Sequence, residues 1–190
     1  MAQITHSTRT TPSPYRSRGG CFDLRAFETS TIASGSTGKI AYGDVVQFDV
    51  NVATANHRIV KSSTMANVPN VLSTAFLGIA VEADGSTVTD GVPSGTGMNQ
   101  KTVICIANKD TEFIFPTKLS GANHASSKVG VRAALAYDST LSMFYADPGN
   151  STAGDASLVI TEIIDAGTTN GFVAAKFLST AVARLVSAAF

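Results

Sequence analysis

A chain of 190 residues in which 44% are hydrophobic can bury one proper core, and one domain is the leading estimate. Lys+Arg and Asp+Glu both number 14, so the net charge is zero and no global field draws the chain toward nucleic acid or a membrane surface. Only 15% of residues are charged, against about 25% in an ordinary soluble domain, so the surface relies on Ser, Thr, Asn and Gly or is partly covered by other chains. Zero net charge also favours association at neutral pH. No apolar run reaches the roughly 18 residues that a membrane-spanning helix needs. Residues 1–20 show no apolar signal-peptide core, so the expectation is synthesis in a cytoplasm with Cys21 and Cys105 reduced, although their spacing leaves a pairing open.

In chain order, Met1 to Gly20 carries Pro12, Pro14, Arg9, Arg16 and Arg18 with no acidic residue. Such a segment has too little apolar surface of its own to offset the entropy of ordering. It reads as an extended arm, either without a role or ordering against a partner with Arg9, Tyr15, Arg16 and Arg18 as anchors, since Tyr and Arg are common interface residues. In Cys21–Phe27 the residues Phe22, Leu24 and Ala26 alternate with Asp23 and Arg25, which predicts a short strand or docking segment. Glu28 to Gly38 is Ser, Thr, Gly and Ala, the chemistry of a linker. The division expected is therefore an arm and linker over 1–37 and a β-rich domain over 38–190.

The domain opens on a Gly43-Asp44 turn, followed by Val46, Phe48, Val50 and Val52 alternating with Gln47, Asp49 and Asn51. That is the period of a strand with one buried face. Ile59-Val60 and Ile79-Ala80-Val81 read as the next strands, and Leu72–Phe76 as one helical turn. Glu82–Gln100 reads as a loop whose Asp84-Gly85 suits a hairpin tip. Thr102–Ala107 is apolar enough to be buried on both faces, whereas Thr111–Phe115 alternates and Pro116 ends it. Ala133–Tyr137 and Met143–Ala146 flank Asp138-Ser139-Thr140 as a hairpin. Asp147-Pro148-Gly149-Asn150 is a turn, and Leu158–Ile164 pairs with Gly171–Phe177. Leu178–Phe190 fits both helical spacing and alternation; a strand followed by irregular chain is preferred. Nine or ten short strands without β–α alternation predict an all-β sandwich or barrel.

No catalytic site can be assembled, and neither a metal nor a cofactor is expected. His6, His57 and His124 are scattered through predicted loops without metal-ligand spacing. Ser94-Gly95-Thr96-Gly97 lacks the full phosphate-loop pattern, and Glu82, Asp84 and Asp90 lack the spacing of an EF-hand. Cys105 falls in a strand that looks buried, which suits an inert thiol better than a nucleophile. Asn150-Ser151-Thr152 matches the glycosylation pattern but reads as turn chemistry.

The order Gly43-Asp44-Val45-Val46, a polar stretch, Leu77-Gly78-Ile79-Ala80-Val81 and a glycine-rich loop from Asp84 to Gly97 resembles the capsid decoration, or cement, proteins of tailed phages. The resemblance covers about a third of the chain. It implies a small β-barrel or β-tulip-like domain on the outside of the capsid, with homotrimers or clusters at local symmetry axes. It also implies an N-terminal arm reaching across the major capsid protein. Arg9, Tyr15, Arg16, Arg18, Phe22 and Leu24 are the expected contacts of that arm. Residues 135–190 fall outside the pattern, which leaves room for an extra lobe or sheet. A fibre-associated or receptor-binding β module is the alternative in the structural class, and an enzyme is the least supported.

Overall fold

The computed structural model describes residues 11–28, 40–48, 59–61, 76–82, 101–117, 125–138, 143–150, 156–164 and 171–182. Among them lie eleven strands: β1 (Ser13–Ser17), β2 (Leu24–Glu28), β3 (Val45–Phe48), β4 (Ile59–Lys61), β5 (Phe76–Ala80), β6 (Lys101–Ile106), β7 (Thr111–Pro116), β8 (Arg132–Asp138), β9 (Met143–Asp147), β10 (Ala156–Ile163) and β11 (Phe172–Phe177). They form two antiparallel sheets, one of six strands in the order β1-β7-β11-β10-β8-β9 and one of five in the order β2-β6-β5-β3-β4. The fold is all-β and sandwich-like. Each sheet has two ends, so neither closes into a barrel.

The main core lies between the sheets. Val45, Phe76, Ile79 and Cys105 come from the five-stranded sheet, and Phe113, Phe115, Leu135, Phe144, Leu158, Ile160, Val173 and Phe177 from the six-stranded one. Phe177 stands at the centre of an aromatic group, with ring centroids 5.5 Å from Phe76, 5.7 Å from Phe113 and 5.8 Å from Phe115. Burying one such ring is worth roughly 1.5–3 kcal/mol, and tilted or edge-on pairing adds about 0.5–1.5 kcal/mol. The Phe76 N–H donates to the Ala181 carbonyl at 2.8 Å, and Phe76 forms a parallel bridge with Val182. The chain after β11 is thus a turn at Leu178–Ala181 that ties one sheet to the other; residues 183–190 lie outside the described residues.

A second apolar cluster of Ile40, Val46, Ile59, Leu77, Ala80, Ile104 and Ile106 occupies the opposite face of the five-stranded sheet, with Phe27 and Phe48 against it. That sheet is buried on both sides. β6 behaves as its continuous apolar sequence predicts, with Cys105 in one cluster and Ile104 and Ile106 in the other. For β3 the one-faced reading is corrected: Val45, Val46 and Gln47 are all buried. β7 is buried at all six positions despite its alternation, because it lies between β1 and β11 and its outward Glu112 is covered by ion partners. Residues 49–52, the stretch 62–75 that includes Leu72, and the stretch 83–100 expected as a loop lie outside the described residues.

The predicted hairpin of β8 and β9 is present, as is the pairing of β10 with β11. From Arg132 to Phe177 the chain supplies four of the six strands of the larger sheet and shares its core, so residues 135–177 are continuous with β7 and not a lobe of their own. The two turns expected from Asn and Asp are made as their side chains suggest. Asn108 Oδ1 accepts from the N–H groups of Asp110 and Thr111 at 2.9 and 3.0 Å, and the Asp147 carboxylate accepts from Gly149 N–H at 3.0 Å.

Residues 11–28 do not stand apart from the domain. The β6–β7 corner carries the chain from one sheet to the other, and the N-terminal segment follows it antiparallel on the outside, β1 along β7 and β2 along β6. Arg18 N–H donates to the Asp110 carbonyl at 3.0 Å, and Ile106 N–H donates to the Asp23 carbonyl at 2.8 Å. The segment brings little apolar surface of its own. Two ready-made sheet edges supply backbone hydrogen bonds that offset its ordering.

Gly78 permits the closest approach in the five-stranded sheet. A Cβ there would overlap the carbonyl oxygen of Cys105 on β6 and reach 3.0 Å from the Ile104 side chain. Gly78→Ala is therefore expected to force the two central strands apart and lower the unfolding free energy by about 3 kcal/mol or more. Gly130→Ala, where φ is +83° but the space is open, is expected to lose only about 1–2 kcal/mol. Chemical denaturation of both variants checks the ranking, and equal losses would contradict it.

Candidate functional site

The residues expected to make contacts with a partner lie mostly on the N-terminal segment, and the structure shows how that segment is seated. Gly43 has φ +85°, and a Cβ there would collide with the Thr11 side chain and stand 2.8 Å from the Pro12 carbonyl oxygen. Gly43 N–H donates to the Ala80 carbonyl at 2.8 Å, and Ala80 N–H donates to the Asp44 carbonyl at 2.9 Å. The buried Asp44 carboxylate accepts the Ala41 N–H at 2.7 Å. The Gly-Asp and Gly-Ile-Ala elements therefore meet in space. They lock the start of β3 to the end of β5 and leave a bare backbone surface on which Thr11-Pro12 rests.

On the outer face of the six-stranded sheet, Arg16 of β1 binds the Glu112 carboxylate of β7 through Nε and reaches Glu162 of β10 at 3.1 Å through its other end. Glu112 is almost wholly buried, and it also faces Lys176 Nζ at 3.5 Å and the Thr161 hydroxyl at 3.2 Å. Lys176 in turn donates to the Lys109 carbonyl at 3.0 Å. The hydrogen bond to Glu112 is the main reason the Arg16 guanidinium is held above its ordinary pKa. Arg16, expected as a free anchor, spends its charge inside the fold. Sequence reasoning missed Glu112, Thr161, Glu162 and Lys176. The only available signal was a charged residue inside the apolar run of β7.

The other expected contact residues divide. Tyr15 and Phe22 are each 37% exposed and Leu24 is 54% exposed, so three of the five large hydrophobic side chains exposed among the described residues lie in this segment. Arg18 is exposed at the turn between the two edge strands. The Arg16 guanidinium also sits 5.2 Å from the Tyr15 ring centroid, within the range of a cation–π contact. Arg9 lies outside the described residues. Asp23 and Arg25, two apart on the exposed edge, form a two-pronged pair at 3.0 Å for each contact. That hydrogen-bonded pair, and then the charge on Asp23, raise the Arg25 pKa.

Cys21 is exposed and Cys105 buried, and both are free thiols. Burial, followed by the nearby Asp23 charge, pushes the Cys105 thiol up to about 12. Among the described residues no three His, Cys, Asp or Glu side chains gather as a metal would require. No helix among them is long and apolar enough to cross a membrane. His6, His57, His124, Asp84, Asp90 and Ser94–Gly97 lie outside the described residues. No protein-family model, curated protein or solved structure matches the chain.

A thiol reagent at pH 8 should label one cysteine per native chain, Cys21, and the second only on unfolding. Below its ordinary value of 9.0 the Cys105 thiol is neutral in both states; between 9.0 and about 12 only the unfolded chain ionises there, so this group removes stability as pH rises through that window. Arg16→Met should lower stability by about 1–2 kcal/mol, discounted for the half-exposed guanidinium. A double-mutant cycle with Glu112→Gln should return a coupling of about 1 kcal/mol; a cycle that closes to zero would mean the pair does not hold β1.

Proposed function

We propose that this protein is a viral structural component, a decoration or cement protein that binds the outside of a tailed-phage head and bridges its major capsid subunits. The observation that supports it best is the placement of exposed Tyr15 and Arg18 along one border of a weakly charged all-β sandwich. Tyr and Arg are the residues that most often carry interface energy, and here they stand on backbone fixed at both sheet edges, so little ordering cost remains at binding. The likeness of the Gly43-Asp44 and Leu77–Val81 elements to the decoration proteins supplies the partner class. Many copies on one shell convert a modest contact into firm attachment through avidity. On this reading the described part of the N-terminal segment presents contact side chains from within the fold.

The test is co-sedimentation of the purified chain with shells assembled from the major capsid protein encoded in the same genome. Saturable binding to the shell exterior is expected. Tyr15→Ser combined with Arg18→Glu should weaken it by about tenfold or more while leaving the unfolding midpoint nearly unchanged. A wild-type chain that does not sediment with such shells, or a genome that encodes none, overturns the proposal.

A further inference from the structure

Each sheet edge among the described residues is protected against pairing with another chain, except one. β1 carries Pro14, which has no N–H to give, and its register shifts between Pro14 and Arg16. β4 is only three residues long. The edge of β9 is partly occupied by a parallel bridge from Thr117 to Ala146. β2 has no proline and keeps an unbroken register with β6 over five residues, and no described strand pairs with its other edge.

The hydrogen-bond parity of β2 is fixed by the bond from Ile106 N–H to the Asp23 carbonyl. Alternate residues of an antiparallel strand turn their backbone groups to opposite sides. Asp23, Arg25 and Phe27 therefore face β6, and the N–H and C=O groups of Phe22, Leu24 and Ala26 point away from the sheet. The side chains of those same three residues share one face, that of Cys105, which is paired with Leu24. All three are exposed.

We infer that β2 pairs with β2 of a second copy of this chain, antiparallel about a twofold axis at Leu24, joining two five-stranded sheets into one. Three features select the partner and the register. Centring on Leu24 makes Leu24 a hydrogen-bonded pair with its symmetry mate, as the outward backbone groups require. It sets Phe22 opposite the partner's Ala26, so the apolar strip is continued by its own copy. It also sets Asp23 opposite the partner's Arg25 on both sides of the axis, turning each chain's exposed ion pair into a closed ring of alternating charge. A centre on Asp23 or Arg25 would oppose like charges, and a centre on Ala26 would place Leu24 against Glu28. Strand pairing across a twofold needs a self-complementary sequence, and Phe22-Asp23-Leu24-Arg25-Ala26 is one. The zero net charge of the chain leaves no long-range repulsion to oppose it.

This inference does not rest on attachment to a shell, and it assigns Phe22 and Leu24 to a second copy instead of a capsid subunit. It is tested on the full chain by sedimentation velocity over a concentration series. The wild type is expected to pass from monomer to dimer in the micromolar range, as suits a small interface. Asp23→Arg and Arg25→Asp should each weaken self-association by about tenfold or more, because each places like charges across the axis. An equimolar mixture of the two variants should restore the dimer, since the first variant's paired arginines then face the second variant's paired aspartates. Misfolding of either variant could not produce that rescue. A wild type that stays monomeric at about 100 µM, a trimer indifferent to these substitutions, or a mixture that fails to recover dimers overturns the inference.

Discussion

The contact on which the arrangement most depends is that of Arg16 with the buried Glu112 carboxylate. Burying a carboxylate without partners is expensive, and removing one partner leaves that expense uncovered. Glu112 sits in the second strand of its sheet, reached on one side by Arg16 from β1 and on the other by Lys176 and Thr161 from β11 and β10. The ion pair therefore does two things at once. It makes β1 part of the sheet, and through the short connection that follows, it brings β2 to the edge of the other sheet. Arginine suits the position because its planar fork can bind Glu112 and Glu162 together, whereas lysine offers a single point charge.

With both N-terminal strands fixed, the exposed side chains of the segment gain a defined direction. Tyr15 and Arg18 occupy the border of the six-stranded sheet and the crossing turn, while Phe22 and Leu24 lie along the border of the five-stranded sheet. The same chain of residues thus offers one surface for a dissimilar partner and an adjacent edge for a copy of itself. These uses are compatible in space because the backbone groups of β2 lie in the plane of its sheet, and Tyr15 belongs to the other sheet.

Much of the architecture was legible in the sequence because it is written in short-range patterns. Asp147-Pro148-Gly149-Asn150 marked its turn, β8 and β9 their hairpin, and β6 its two buried faces, since periodicity and turn chemistry need only near neighbours. What could not be read was long-range. Gln47 and Glu112 look like solvent-facing residues of alternating strands; only the second sheet, packed over the face that Gln47 shares with Val45, and the partners Arg16 and Lys176 bury them. The basic, proline-bearing start of the chain looked unable to fold for the same reason: the edges that hold it are built from residues almost a hundred positions later. Among the candidate contacts, Tyr15, Arg18, Phe22 and Leu24 are exposed and Arg16 is committed internally, a distinction that composition cannot draw.

The bond between Phe76 and the segment after β11 bears on how the molecule is made. Its two ends are separated by more than half the chain, and the aromatic group that it anchors cannot assemble until β11 exists. Contacts so distant in sequence slow folding, since loop closure must be achieved before burial rewards it. During synthesis the five-stranded sheet would wait with one apolar face uncovered, and rapid completion or a chaperone at that stage would govern how much of the product reaches its final shape.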